Sequence, residues 1–386
     1  PPPPIFSSRR RHTRSGPQSR GLGDVYKRQA YHCLSMLMSL SKLIPEPANT
    51  SAVPKTDRSD NSDWRPGASV EVMKIRATLM ARIRAFFGQN GVLEVDTPAL
   101  SRFGCTDPAI ESFRSAYRGP HAAAGLPLYL HTSPEFFMKR LLAAGCGPIY
   151  QLAHVFRDGE SGRRHNPEFM MLEWYRPGMD QYALMDEIDA LLAFVLEGFF
   201  DYRPAQRIAY RQWFLGATGL DPWCDNVAAF RRFAEHKLQF VPDSMEDTEL
   251  DPWLDLLVTH WLEPRLADQA VFVVDYPPSQ AALARIRDDT LAVAERFELF
   301  INGLELANGF HELQDAGQQR QRFENEIRFR EQSGQTPVDY DEHLIAALQS
   351  GLPACSGVSI GFDRQVMLAA GLSEIGAAMP YAFQRV

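Results

Sequence analysis

Phe297-Glu298-Leu299-Phe300-Ile301-Asn302-Gly303-Leu304-Glu305-Leu306 carries the strongest short-range signal in the chain. Asn-Gly between two β-prone runs is the pattern of a two-residue type I′ hairpin, because both turn residues need a positive φ. The pairing that this turn dictates sets Phe300 opposite Glu305 and Glu298 opposite Ala307. Glu298 and Glu305 then share a face as diagonal neighbours, about 7–8 Å apart at the backbone. Carboxylates that close repel unless a positive charge separates them, and magnesium carried on a nucleotide phosphate would supply it. Ala307 and Gly309 fall on the same face in this register, and being small they leave room for a ligand above the sheet. A solvated hairpin face with two unrelated acids fits the same spacing.

Outward from the hairpin, residues 271–275, 295–301 and 304–310 read as strands, as do 128–131, 149–157 and 168–175. Ile75, Leu79, Ile83 and Phe87 recur at helical spacing, with Asn90-Gly91 as a stop before a short strand at 92–95. Thr132-Ser133-Pro134-Glu135 signals a helix start, with a hydroxyl cap, proline at N1 and an early acid. Residues 181–200 and 318–350 are helical, the latter capped by Gly351, and 357–368 runs from a strand into a helix. The middle, 205–268, carries no usable motif. Hairpin-joined strands among helices mean an antiparallel α+β fold.

The 386 residues carry a net charge of −8, with 45% hydrophobic and 23% charged residues, which excludes a disordered or fibrous chain. There is no apolar run of the roughly 18 residues that a membrane span needs. Five widely separated cysteines without a CxxC pair argue against zinc or a disulfide framework and suit a cytoplasmic setting. Residues 1–30 hold seven basic side chains and one acid, which leaves the remainder at −14. So acidic a body argues against broad phosphate-driven nucleic-acid binding. Residues 1–68 are expected to be an extension that is flexible or foreign to the native protein, with Met36 or Met38 a plausible start, and 69–386 the folded domain.

Two further stretches are candidates for ligand contact. In the first, Phe156-Arg157 leads through Arg163, Arg164, His165 and Asn166 to a strand that places Phe169, Glu173 and Tyr175 on one face. An arginine at a strand end beside an aromatic ring can grip a phosphate while the ring stacks on a base, although a basic surface loop reads the same way. In the second, Gly357-Val358-Ser359-Ile360-Gly361-Phe362-Asp363-Arg364, the glycines permit close backbone approach or simple packing. No phosphate-binding P-loop, dinucleotide fingerprint or nucleophile elbow is present.

Taken in order, these stretches resemble the class II aminoacyl-tRNA synthetases. Gly91 to Pro98 is similar to motif 1, Phe156 to Phe169 to motif 2, and Gly357 to Arg364 to motif 3. His165-Asn-Pro-Glu-Phe169 and Glu305 to Leu313 point to the lysyl branch. Thr132 to Arg140, Ala144 to Pro148 and Glu173 to Pro177 are similar to its stand-alone paralogues, the ligases that attach (R)-β-lysine to elongation factor P. A full lysyl-tRNA synthetase carries a β-barrel anticodon domain ahead of this core, and only about 30 plausible residues are expected to precede it here. Two departures stand out. Ser359 occupies a motif 3 position that is usually glycine, and Asp158-Gly159-Glu160 replaces the common Arg-x-Glu of motif 2.

The resemblance implies a homodimeric class II catalytic domain, an antiparallel sheet flanked by helices, that uses ATP and Mg2+. It implies activation of (R)-β-lysine as an adenylate and transfer to a lysine of elongation factor P; a tRNA is not expected as acceptor. Charging of tRNA or another small acceptor, or a non-catalytic regulator, are the alternatives. Arg157 and Arg364 would be catalytic, Arg157 on the α-phosphate, with Phe169 and Arg364 sandwiching adenine. Asp158, Gly159, Glu160, Asn166, Glu305, Leu306 and Gly361 are further positions implied for ATP, and Glu298 with Glu305 for the metal. Ser133, Pro134, Glu135, Tyr175, Asn308 and Glu312 would bind the amino acid, Glu135 and Glu312 meeting its two ammonium groups. Strict alternation puts Glu312 on the face opposite Glu305, so a bulge near Gly309 or a strand end before His311 is required. Deleting residues 1–30 is expected to leave melting temperature and adenylate formation unchanged; a fall of several degrees would contradict this.

Overall fold

The computed structural model describes residues 64–386, apart from 123–124, 243–244, 246–248 and 289; the expected extension up to residue 63 lies outside the described residues. Helix α1 (Val70–Gln89) starts where Ser69 Oγ accepts from the Val72 N–H at 3.3 Å, and it buries Leu79, Ile83 and Phe87. It stops at Asn90-Gly91, with Gly91 at φ +65°. Three short strands follow, β1 (Leu93–Glu94), β2 (Leu100–Ser101) and β3 (Arg114–Tyr117), then β4 (Leu126–Leu130), which pairs with β2 and β3 in a small sheet. Helix α2 (Glu135–Ala143) begins one residue later than the proline signal suggests. Pro134 stands at the cap instead of N1, while Ser133 Oγ accepts from the Glu135 N–H at 3.0 Å.

Strands β5 (Ile149–Phe156) and β6 (Glu168–Pro177) lead into α3 (Gln181–Leu196). The motif-free middle folds as β7 (Gln206–Ala209) and helices α4 (Tyr210–Thr218), α5 (Val227–Lys237) and α6 (Asp251–Leu257). Then come β8 (Ala270–Tyr276), β9 (Ile286–Asp288), β10 (Ala292–Ile301) and β11 (Leu304–His311). The expected single helix over 318–350 is two, α7 (Ala316–Gln332) and α8 (Glu342–Gly351). Gly334 at φ +68° ends the first, and the Asp341 carboxylate accepts from the His343 N–H to start the second. After β12 (Cys355–Gly361) and α9 (Phe362–Ala370) the described chain ends in two single 3-10 turns, Ile375–Ala377 and Phe383–Arg385.

The large sheet runs β1-β5-β6-β12-β11-β10-β8-β7, with β9 also paired to β10. Its inner pairs are antiparallel, while β1–β5 and β7–β8 at the two ends are parallel. One face packs on α1, α3 and α9 through Leu79, Phe87, Trp174, Ile188, Phe297 and Val366. The other face carries two separate cores. Tyr210, Trp213, Phe230 and Trp253 of the middle segment cover Val271, Val273 and Phe300. Met138, Phe323 and Leu344, from α2, α7 and α8, cover Ile149, Tyr175 and Cys355. A cavity opens on this face, walled by Tyr175 and Phe323 of the second core and by Phe310, which packs on the first.

The hairpin turns as its sequence requires, with Asn302 at φ 54°, Gly303 at φ 68° and Phe300 opposite Glu305. Beyond that pair the register slips, so Glu298 faces Asn308 instead of Ala307. Leu306 is the extra residue of a bulge, and it and Ala307 both bury in the α1–α3 core. Hydrophobic burial of two consecutive side chains reverses the alternation. Ala307 and Gly309 therefore face the core and leave no ligand space: a Cβ on Gly309 would stand 2.4 Å from Phe297 Cζ. The same slip lets Asn308, Phe310 and Glu312 line the cavity on the side of Glu298 and Phe300. The conflict over Glu312 is thus resolved at Leu306, three residues before Gly309.

Candidate functional site

The cavity measures about 310 Å3, and six of the predicted residues line it: Ser133, Glu135, Arg157, Tyr175, Asn308 and Glu312. Its acidic end is built from α2, β6 and the end of β11. Glu173, buried and predicted only as a face residue, accepts from Ser133 Oγ and from the Tyr175 hydroxyl, each at 2.7 Å. Burial, with Glu135 nearby, pushes the Glu173 carboxyl up to about 8. Lys139, 2% exposed, sets its Nζ 2.6 Å from Glu135 Oε1 and 2.6 Å from Glu312 Oε2. Burial alone would lower its pKa, but the two carboxylates override this and raise it. Glu312 is pushed up to about 7 by burial, against the pull of Lys139. Its backbone N–H donates to Cys355 O at 3.0 Å, which fixes it beside Gly357. A Cβ at Gly357 would stand 2.3 Å from Tyr175 Cε1 and 2.6 Å from Glu312 Oε1, so only glycine fits there.

At the other side Arg157 follows β5, its N–H donating to Pro167 O at 2.8 Å. Its guanidinium lies 5.2 Å from the centre of the Phe169 ring and 3.4 Å from Glu160 Oε1, and its buried Nε has no partner in the protein. A donor left that way is available to an anionic ligand. Arg364, at the start of α9, donates to Glu305 O at 2.6 Å and sits 3.6 Å from Glu305 Oε2. Its Nη2 also donates to His165 Nε2 at 3.0 Å, and burial together with this cation holds His165 below its ordinary value. Phe169 thus faces Arg157, while Arg364 is engaged by Glu305 and His165.

The remaining predicted positions lie outside the cavity wall. Asp158 donates its N–H to Glu111 O at 2.8 Å, and Gly159 turns at φ 82°. Asn166 is buried and structural in its contacts: its amide donates to Glu168 O and accepts from the Phe383 N–H at 2.9 Å. The Leu306 side chain is in the core and Gly361 caps α9, so both could offer a ligand only backbone. Pro134 is held at the cap of α2. The Glu298 side chain is 12% exposed; it accepts from the Tyr276 hydroxyl at 2.7 Å and is paired with Arg296, which lines the cavity. Burial raises its pKa despite Arg296. Two of its four lone-pair sites are thereby used, and Glu305 is 42% exposed. Such oxygen donors suit a hard cation. Among the described residues no cluster of three or more His, Cys, Asp or Glu could hold a metal by itself. A magnesium here would need nucleotide oxygens to complete its shell.

Three residues escaped the sequence reading. Lys139 had a signal, the Glu135–Lys139 spacing of four inside an otherwise apolar helix. Arg296 had a weaker one, standing two residues from Glu298 on one strand face. Arg330 had none, since its partners on the cavity loop, Asp107 and Glu111, are more than 200 residues away. Fully buried, it donates to Asp107 O at 3.1 Å and pairs with Glu111, tying down the 102–113 loop that roofs the cavity.

Residues 58–385 match the family of class II tRNA synthetases (D, K and N). The chain is 46% identical to the elongation factor P–(R)-β-lysine ligase of Pectobacterium atrosepticum, over 85% of this chain and 99% of that protein. It is 48% identical to the enzyme so named in Vibrio vulnificus, over 83% and 98%. For that of Salmonella gallinarum the figures are 46%, 85% and 99%. With its antiparallel sheet, its three motifs in order and relatives matched over nearly their whole length, the chain belongs to the class II aminoacyl-tRNA synthetase family, in the branch of the elongation factor P–(R)-β-lysine ligases.

Proposed function

We propose that this protein activates (R)-β-lysine with ATP and transfers it to a lysine side chain of elongation factor P. The observation that carries the reading is the cavity itself, with two carboxylates, Glu135 and Glu312, at one end and Arg157 with a free donor at the other. Glu135 and Glu312 stand on the same Lys139 ammonium. They therefore meet one ammonium of a diamino acid together, instead of its two ammonium groups separately as expected from the sequence, and the substrate carboxylate is directed toward Arg157. In the first step a carboxylate oxygen bonds to the α-phosphorus and the bond to pyrophosphate breaks. Arg157 offsets the charge that builds at phosphorus, and the cavity supplies position instead of a covalent intermediate. In the second step the acceptor amine bonds to the carbonyl carbon, loses a proton and displaces AMP. Glu305 and Glu298 would hold magnesium against the phosphates, the ion supplying charge neutralisation when bound.

Pyrophosphate exchange measured with (R)-β-lysine, lysine and no amino acid tests the first step. Exchange with (R)-β-lysine well above lysine supports the reading, and none with either overturns it. Glu305→Gln keeps size and removes charge, so exchange at limiting magnesium is expected to collapse while the melting temperature holds. Near-normal exchange would remove Glu305 from the metal role. Glu312 binds a cation only when ionised, and its carboxyl titrates at about 7. The amino-acid KM is therefore expected to rise about tenfold per unit as pH falls below 7, with the ATP KM flat.

The rest of the reading is a 69–386 catalytic domain that pairs as a homodimer in the cytoplasm. Leu93, 55% exposed in the motif 1 strand, together with the exposed Val70 and Phe194, gives the apolar surface for such pairing. No described helix is long and apolar enough to cross a membrane. Sedimentation of the full chain checks the dimer.

A further inference from the structure

We propose that Lys139 is a positioning residue for the amino acid: its ammonium bridges Glu135 and Glu312 and leaves the second oxygen of each carboxylate to one substrate ammonium. This inference rests on the proposed function. Lys139 has three donors and no acceptor; one donates to Glu135 Oε1 at 2.6 Å, and its Nζ also stands 2.6 Å from Glu312 Oε2 as an ion pair. It reaches them from inside a helix whose neighbours are Phe136, Phe137, Met138, Leu141 and Leu142. As a stability device a buried charge triad is poor, since desolvating three charges offsets much of their attraction.

As a binding device it does two things. It fixes the separation of the two carboxylates, which otherwise hang from different elements, α2 and the end of β11. It also opposes the burial that raises the Glu312 carboxyl. The groups facing Glu312 are Glu135 and Lys139 from α2, Glu173 and Tyr175 from β6, and Cys355 from β12. Lys139 is the one cation among them. Without it, neighbouring carboxylates in a dry site force one another to take up a proton, and an ammonium loses its partner. With it, the formal charges of Glu135, Glu312 and Lys139 sum to −1. A zwitterionic amino acid with one extra ammonium carries +1, so the bridge matches the wall to a diamino acid and not to a neutral one.

The test is Lys139→Met and Lys139→Arg in the full-length enzyme, by pyrophosphate exchange across pH. Lys139→Met is expected to raise the (R)-β-lysine KM at least tenfold and to move the midpoint of its pH dependence upward, leaving the ATP KM within twofold. Lys139→Arg, which keeps the charge, is expected to restore the wild-type midpoint. An unchanged amino-acid KM and midpoint in Lys139→Met overturns the bridge, as does an equal rise in both KM values, the mark of general disruption. If Lys139→Met does not fold, Lys139→Met/Glu135→Gln preserves the buried charge balance and is compared with Glu135→Gln alone. A further tenfold rise sustains the bridge and none overturns it. Wild-type enzyme inert toward both lysine-type amino acids overturns the proposed function and the bridge with it. Active wild type with an indifferent Lys139→Met overturns the bridge alone.

Discussion

Arg157→Ala is expected to lower amino-acid-dependent pyrophosphate exchange by about 10²–10³, equivalent to roughly 3–4 kcal/mol of transition-state stabilisation. The guanidinium is held for this role from three sides. The backbone pairs with Pro167, the Phe169 ring lies 5.2 Å away, and Glu160 stands at a loose 3.4 Å. None of these saturates the fork, and the buried Nε is free. A fixed donor in the cavity wall costs little reorganisation when charge builds at phosphorus. Arg157→Lys is expected to recover only part of the rate, because an ammonium is a point charge without the planar fork. The side chain is part of no apolar core, so the melting temperature should change little. Exchange within threefold of wild type would remove Arg157 from the chemistry.

The second large effect is expected at Gly357→Ala. One methyl group there meets the Tyr175 ring at 2.3 Å and Glu312 Oε1 at 2.6 Å, and neither can retreat. Tyr175 is buried and donates to Glu173, while Glu312 is 1% exposed and paired with Lys139. Overpacking of this kind costs about 1–3 kcal/mol of stability. It also drives Tyr175 or Glu312 into the space that the amino acid would fill. The amino-acid KM is accordingly expected to rise by more than tenfold while ATP binding persists, read by exchange kinetics and by ATP-induced thermal shift. A variant with unchanged amino-acid KM would show that the Tyr175–Glu312 wall is not the binding surface.

The hairpin shows where reading a sequence succeeds and where it stops. Asn302-Gly303 announces its own turn, because few other pairs tolerate two positive φ values, and Phe300 opposite Glu305 follows from it. The bulge at Leu306 does not announce itself. It arises because Leu306 and Ala307 both find room in a core made by α1 and α3, more than 100 residues away in sequence. Alternation alone therefore set Ala307 and Gly309 on the wrong face. Likewise the helical pattern over 318–350 hid its break, since Gly334 and Pro337 become decisive only once α7 and α8 fold back onto one shared core. The site was legible where a motif named its residues, as at Ser133, Glu135, Arg157 and Glu312. It was not legible where a side chain acts across the fold, as Arg330 does on the roof loop.

The choice of acceptor decides the account. A tRNA is held largely through contacts to its phosphate backbone, whereas a protein acceptor needs only one lysine side chain to reach the adenylate. Outside residues 1–30 the chain carries −14, which suits a cationic side chain better than a polyphosphate backbone. The direct measurement is intact-mass spectrometry of elongation factor P after incubation with this enzyme, ATP and (R)-β-lysine, beside a parallel reaction offering tRNA. One added β-lysyl group on elongation factor P and none on tRNA is the predicted result, and efficient charging of tRNA with no mass shift on the protein would contradict it.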